Sequence, residues 1–156
     1  MEEPTIIIDY LADHTGLIET CASWAFGQWG CQSGGSLERA TALFSEGTKK
    51  GSVPLTLVAL VSEKPAGMIS LWQSDFDGRP DLSPWLASLF VHPSHRKKGI
   101  ASRLIKKLEA EACRLSFQQL YLVTEESRTL YQTHGWSEID HVVTAHGEAS
   151  LMSKRL

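Results

Sequence analysis

Arg96, Lys97, Lys98, Arg103, Lys106 and Lys107 place six cations within twelve residues, with no acid among them, in a chain of formal net charge -3. They surround Gly99, which separates a strand-like run, WLASLFV, from a helix-like run that starts at Ile100. A strand that ends, a short basic loop and a helix that begins at a glycine can make an anion site from backbone alone. The first helical turn leaves several N–H groups unpaired and carries the positive end of the macrodipole. Gly99 lets the backbone approach a ligand closely, small Ala101 leaves room beside it, and the clustered charge suits several phosphates. Taken alone, the same residues would equally describe a solvated basic helix face. No G-x-x-x-x-G-K-[ST] and no G-x-G-x-x-G occurs, so ATP and NAD are poor guests for this loop.

Other chemistries are thinly supported. His92 and His95 flank Pro93, which disfavours one shared helical face, and no Cys, Asp or Glu completes a ligand set, so no metal site is expected. Three cysteines, Cys21, Cys31 and Cys113, make an odd and sparse set that argues against a disulfide framework. The overall charge gives no reason to expect nucleic acid or an anionic membrane as partner. No apolar run approaches the ~20 residues of a membrane helix. The start, MEEPTIIIDY, is acidic and lacks a basic n-region, so it does not read as a signal peptide; a cytoplasmic location is expected.

The elements that would position the basic loop can be read from periodicity. With 156 residues, 42% of them hydrophobic and 21% charged, the chain reads as one folded domain over residues 1–156. TIIIDY reads as a short buried strand. Residues 15–26 carry Leu17, Ile18, Cys21, Ala22 and Ala25 at the spacing of one helical face. GQWGCQSGGS reads as loop, and Ser36 can cap a second helix that runs to about Gly47. LTLVALVS and GMISLWQS read as a hairpin joined by a tight EKPAG turn. SDFDGRPDLSP is a loop, and WLASLFV is the next strand. From Ile100, the positions Ile100, Leu104, Ile105, Leu108, Ala112 and Leu115 form a helical stripe. LYLV is a short strand, residues 127–134 a helix ending at Gly135, and WSEIDHVVTAHGEASLMSKRL a hairpin turning near His146 and Gly147. The order β-α-α-β-β-β-α-β-α-β-β predicts an α/β (α+β) plan on one central sheet.

WLASLFVHPSHRKKGIASRLIKKLEAEA resembles the acetyl-CoA motif of the GNAT acetyltransferases, a strand, V-x-P-x-x-[RQ]-x-x-G-x-[GA] and a helix, with Val91, Pro93, Arg96, Gly99 and Ala101 in its places. LYLVTEESRTLYQTHGW resembles the second signature of that family, a strand and a helix ending L-Y-x-x-x-G-[FW], with Leu130, Tyr131, Gly135 and Trp136 in place. Ala101 stands where Gly is more frequent, Lys98 where Gly or another basic residue is common, and Thr124 where many members have an Asn that contacts the cofactor. The resemblance implies a GNAT fold: a mixed, mostly antiparallel sheet of about seven strands, flanked by about four helices, with the fourth and fifth strands splayed.

It also implies roles. Backbone groups of Leu89, Phe90 and Val91 would hold the pantetheine arm of acetyl-CoA in the gap between the splayed strands, with the Val91 N–H stabilising the oxyanion. Amides of Lys97, Lys98, Gly99, Ile100, Ala101 and Ser102 would wrap the pyrophosphate, assisted by Arg96, and Thr124 would sit beside the cofactor. Tyr131 falls at the position of the acid that protonates the leaving thiolate. No residue announces itself as the base: Asp75, Asp77 and Asp81 lie in the loop before the fourth strand, and Glu125 and Glu126 begin the helix of Tyr131. Turn chemistry and helix-end charge compensation account for these acids equally well.

In such proteins the acceptor is selected by the first two helices, their loop and the loop between the third and fourth strands, which give Trp24, Phe26, Trp29, Trp72, Asp75, Phe76, Asp77 and Trp85 here. Aromatic and acidic residues together suit a cationic amine, although Trp24 and Trp29 read equally well as core residues. A small-molecule amine is the expected acceptor, with a peptide N-terminus or lysine as the alternative. A CoA-binding regulatory module without catalysis would tolerate loss of the phenol, and a nucleic-acid binder would use the basic patch on phosphates. The C-terminal strands of relatives often pair two copies, so a homodimer is open to test.

Overall fold

The computed structural model describes residues 4–156; the first three residues of the acidic start lie outside the described residues. Seven strands form one sheet: β1 (Ile6–Tyr10), β2 (Leu55–Val61), β3 (Lys64–Trp72), β4 (Trp85–Val91), β5 (Gln119–Thr124), β6 (Ser137–Thr144) and β7 (Gly147–Arg155). Their spatial order is β1-β2-β3-β4-β5-β7-β6, antiparallel throughout except for β4 beside β5. Four helices flank it: α1 (Ile18–Ala25), α2 (Leu37–Glu46), α3 (Ile100–Arg114) and α4 (Arg128–Thr133). This is the expected GNAT fold.

Strand β2 shows why the run LTLVALV is apolar without alternation. Its side chains point in turn to opposite faces. Leu55, Leu57, Ala59 and Val61 pack toward α3, while Val58 and Leu60 join Leu11, Cys21, Ala22 and Phe44 beneath α1 and α2. With both faces covered, every position is buried, including Thr56, whose hydroxyl pairs with that of Ser70 at 2.8 Å. On α3 the expected stripe is realised: Ile100, Leu104, Ile105, Leu108 and Ala112 are buried, each large side chain worth about 1.5–3 kcal/mol relative to exposure. Leu115, the last position of the stripe, caps the helix end and is partly buried. Ser36 caps α2 as its sequence suggested, its Oγ accepting from the Arg39 N–H at 3.1 Å.

Three local readings need correction. TIIIDY is not a buried strand but the sheet's edge, with Ile7 45% exposed. The β2–β3 turn is not EKPAG: Ser62 and Glu63 alone make it, with φ of 50° and 70°, so Lys64 and Pro65 already belong to β3. Two consecutive left-handed residues turn the chain with the twist of the strands, which the proline had obscured. The loop expected from Gly27 begins instead as a π-helical turn, Phe26–Gly30, continuing α1. The glycines there had masked the helical continuation.

Candidate active site

Strand β4 carries the geometry on which the site depends. Ser70 faces Ala87 and Met68 faces Phe90, so two steps along β3 oppose three along β4. The extra residue is absorbed at Ser88, whose φ is +55°, and the bulge turns the remainder of β4 away from a regular ladder. Gly67, opposite Val91, makes room: a Cβ there would lie 2.8 Å from the Phe90 carbonyl oxygen. On the other side, one ladder pair among the described residues, Trp85 with Tyr121, joins β4 to β5. Beyond it the strands diverge. The His92 N–H donates to the Ala66 carbonyl on the β3 side at 2.8 Å, and backbone groups alternate along an extended strand. The Val91 N–H and C=O therefore face the opened gap, and the Val91 oxygen accepts from Arg96 Nε at 3.0 Å.

Below this edge the chain passes Pro93 and enters α3 through Lys97 and Gly99, both left-handed at φ +62° and +78°. Open space surrounds the position of a Gly99 Cβ, so its glycine is required by backbone conformation rather than by contact. Among the described residues no side chain caps α3, and its first turn holds no acid. A cavity of about 200 Å³ sits against these amides, lined by Val91, Arg96, Lys97, Gly99, Ala101 and Ser102. His95 and Ile100 complete it, and Lys98 lies outside. Not every cation of the basic cluster is available to it. Arg103 donates to the Ile6 carbonyl at 3.0 Å, tying α3 to the edge strand, and Lys107 approaches Glu111. The guanidinium of Arg96 lies over the Phe90 ring at 5.9 Å.

On the far side of the β4 edge lies a second cavity of about 830 Å³. Tyr131 lines it at only 6% exposure, its ring edge-on to Trp136 at 6.0 Å. No hydrogen bond holds its hydroxyl among the described residues. Burial first, and the charge of Asp75 second, push that phenol well above the usual tyrosine value, so it is protonated at neutral pH. His134, which ends α4, is 3.1 Å from the Ser102 hydroxyl through Nε2, linking the helix of Tyr131 to the first turn of α3. Thr124 also lines the cavity, but its Oγ1 accepts from the Ser127 N–H at 2.9 Å and so organises the start of α4.

The expected acceptor residues divide. Trp29, Asp75 and Asp77 line the large cavity, with Trp72 and Phe76 beside them. Trp85 does not: it is wholly buried, its Nε1 donates to the Leu82 carbonyl at 2.8 Å, and it packs on Tyr121. Its apolar bulk is spent where β4 and β5 still meet. Trp24 is absent from the cavity wall and packs instead on Phe90 at 5.2 Å. Among the lining residues not singled out in the sequence are Arg39 on α2 and Thr144 to His146 at the β6–β7 turn. Neither stands in a motif, although Arg39 lies on one of the two helices expected to face the acceptor. Among the described residues no group of three His, Cys, Asp or Glu could hold a metal ion, and no helix is long and apolar enough to cross a membrane.

The model of the acetyltransferase (GNAT) domain matches residues 54–138, more than half of the chain, and spans both signatures. The chain belongs to the GNAT acetyltransferase family. Its members use acetyl-CoA. Among solved structures, an aminoglycoside 6'-N-acetyltransferase complexed with coenzyme A superposes with a TM-score of 0.76 at 16% identity, covering 96% of each chain. The aminoglycoside 6'-N-acetyltransferase from Enterococcus faecium gives 0.72 at 17%, again covering 96% of both. A spermidine N-acetyltransferase from Vibrio cholerae gives 0.70 at 17%, covering 96% of this chain and 93% of its own. At such identities the likeness is one of fold. No curated protein sequence matches. The acetyltransferase fold fits the two cavities: the uncapped α3 terminus suits a pyrophosphate, and the unpaired β4 edge suits an extended amide-bearing arm.

Proposed function

We propose that this acetyltransferase moves the acetyl group of acetyl-CoA to a primary amine of a small cationic molecule by direct attack. The observation that carries the reading is Tyr131, a buried phenol with no hydrogen-bond partner among the described residues, on the wall of the large cavity. Acetyl-CoA supplies the activated acyl group and a thiol leaving group. The backbone amides of Lys97 and residues 99–102 would hold its diphosphate, with Arg96 adding charge, while Leu89, Phe90 and Val91 bind the arm. The Val91 N–H, directed into the gap, would donate to the thioester oxygen and stabilise charge developing there. Tyr131, kept protonated by its surroundings, would hand its proton to the departing sulfur.

The acceptor side supports a small cation. Asp75, Asp77, Glu125 and Glu126 line the large cavity against one guanidinium, Arg39, and Trp29, Trp72 and Phe76 offer faces for cation–π contact. The structural neighbours named for aminoglycoside and spermidine acetylation are consistent with such an acceptor. Release of free thiol from acetyl-CoA, measured with spermidine, tobramycin and a lysine peptide as acceptors, tests the reading. Faster release with either small polyamine than with the peptide is expected; preference for the peptide would move the acceptor to the protein class.

A further inference from the structure

Helix α4 is too short to hold itself. Its six residues, Arg128–Thr133, carry Tyr131, and an isolated helix of fewer than about 12 residues is marginal in water. Its start is organised by the Thr124 hydroxyl, which accepts from the Ser127 N–H at 2.9 Å. Arg128 meets Glu138 at 3.7 Å in contact with water, and a pair of that kind contributes little. The end of the helix is held more firmly. Lys154 of β7 donates from Nζ to the His134 carbonyl at 2.6 Å and is paired in turn with Glu109 of α3, a carboxylate only 12% exposed. The His134 ring shares a hydrogen bond with the Ser102 hydroxyl at 3.1 Å. Ser102 and Glu109 stand seven residues apart on one face of α3, about 10 Å along its axis. One helix thus grips the end of the next at two points, directly through Ser102 and through Lys154 from Glu109. A single point would leave α4 free to pivot; two fix its direction.

From that grip to Tyr131 is a single step. The His134 N–H donates to the Tyr131 carbonyl at 2.9 Å, and the Trp136 N–H donates to the same oxygen at 3.1 Å. The Tyr131 hydroxyl has no hydrogen bond of its own among the described residues. Its place is therefore set by the backbone that carries it and by the packing of its ring on Trp136. Glu109, His134 and Lys154 line neither cavity, so they stand behind the site rather than in it. A lysine at a helix C-terminus supplies a donor to orphaned carbonyls and suits the negative end of the dipole. That accounts for Lys154 alone. It leaves unexplained the second tie, from His134 to Ser102 on the wall of the anion cavity.

We infer, on the acetyl-transfer reading above, that Lys154 with its anchor Glu109, and His134 with its tie to Ser102, are positioning residues for Tyr131. They hold the phenol at a fixed distance from the sulfur of a cofactor whose diphosphate is seated on the same helix, α3. The amides that bind the diphosphate and the helix that carries the acid are thereby measured from one ruler. The clamp supplies neither proton nor charge to the reaction; it sets a distance. Proton transfer to a leaving thiolate needs hydrogen-bond reach, and a misplacement of about 1 Å costs on the order of 100-fold in rate. A six-residue helix with one loose end would not keep a phenol within such a tolerance.

The test begins on the free chain, with hydrogen exchange in wild type, Lys154→Met, Glu109→Gln, His134→Ala and, as control, Glu111→Gln. Glu111 is the other enclosed acid of α3, paired with Tyr10 and Arg114 near the far end of the helix. In the three clamp variants the Trp136 amide should exchange about ten-fold faster or more, while α3 and β5 keep the wild-type rate. The control should leave that amide unchanged. Turnover is then read as thiol release from acetyl-CoA, with whichever of spermidine, tobramycin and the lysine peptide the wild type uses, at a temperature where every variant is folded. Lys154→Met should lose on the order of 10-fold or more in kcat, with KM for acetyl-CoA within about two-fold of wild type and part of the loss recovered by Lys154→Arg. In a Tyr131→Phe background the same substitution should cost less than about two-fold, because no phenol remains to misplace. His134→Ala and Glu109→Gln should show the same dependence on the Tyr131 hydroxyl, and they decide the matter where Lys154→Met does not fold. A contact that only stabilises the chain would cost the same in both backgrounds. Equal losses with and without the hydroxyl overturn the inference, as does unchanged exchange at Trp136. Tyr131→Phe as active as wild type, with the clamp intact, overturns instead the acid assigned in the reading beneath it. A wild type that acetyl-CoA does not protect against thermal unfolding overturns that reading as a whole.

Discussion

The two cavities are built by different means. The smaller is made of backbone from one continuous stretch, residues 91–102, and its wall turns on one left-handed glycine and an uncapped helix. The larger is made of side chains drawn from α1 and its π-helical turn, α2, the β3–β4 loop, β4, β5, α4 and the β6–β7 turn. A backbone site tolerates substitution of nearly every side chain in it except where conformation demands glycine. A side-chain site changes its ligand whenever one wall residue changes. On the reading proposed above, the first design would serve a co-substrate common to a whole family and the second an acceptor that differs among its members.

Substitutions on each side should break this contrast in opposite ways. The largest effect is expected from Tyr131→Phe on the acceptor side: turnover should fall on the order of 100-fold or more. The melting temperature and its response to acetyl-CoA should stay close to wild type, because the ring keeps its packing on Trp136 and no hydrogen bond to the hydroxyl is lost. Gly99→Glu should do the reverse. It places a carboxylate at the anion site and a Cβ at φ +78°. Protection by acetyl-CoA at 100 times its dissociation constant, roughly 2.7 kcal/mol, should disappear from the melt. The smallest effect is expected from Gly67→Ala, which presses on the Phe90 carbonyl from β3. About 1–3 kcal/mol of stability should be lost, with a weaker response to acetyl-CoA as Val91 is displaced. A Gly67→Ala variant that melts and binds like wild type would show that the bulge can relax without moving the arm-binding edge.

The same contrast explains what could be read from the residues. The order of elements, the α3 stripe and the Ser36 cap are local patterns, and each is present in the fold. The Gly99 turn was legible because a single stretch contains it. The bulge at Ser88 was not: WLASLFV reads as an unbroken strand, and the extra residue is visible only against its partner β3. Trp85 was misjudged, and Trp24 was left open between core and cavity, for a related reason. A tryptophan beside a cavity and a tryptophan under it have the same local sequence, and burial is decided by which strand lies opposite. Arg103 likewise belongs to the basic run by position, but the Ile6 carbonyl draws it away to a strand nearly a hundred residues earlier.

The gap beside β4 has a consequence for how the chain breathes. In most sheets the central amides are the last to trade hydrogen for deuterium, and the rims go first. Here β4 is central, yet among the described residues it makes no ladder pair with β5 beyond Trp85. The Val91 amide should therefore exchange ahead of its neighbours in β2 and β3, a hydrated seam in the middle of an otherwise dry sheet. If acetyl-CoA lies in that seam as proposed, taking the place of a missing strand, it should slow Val91 exchange to the pace of the sheet around it.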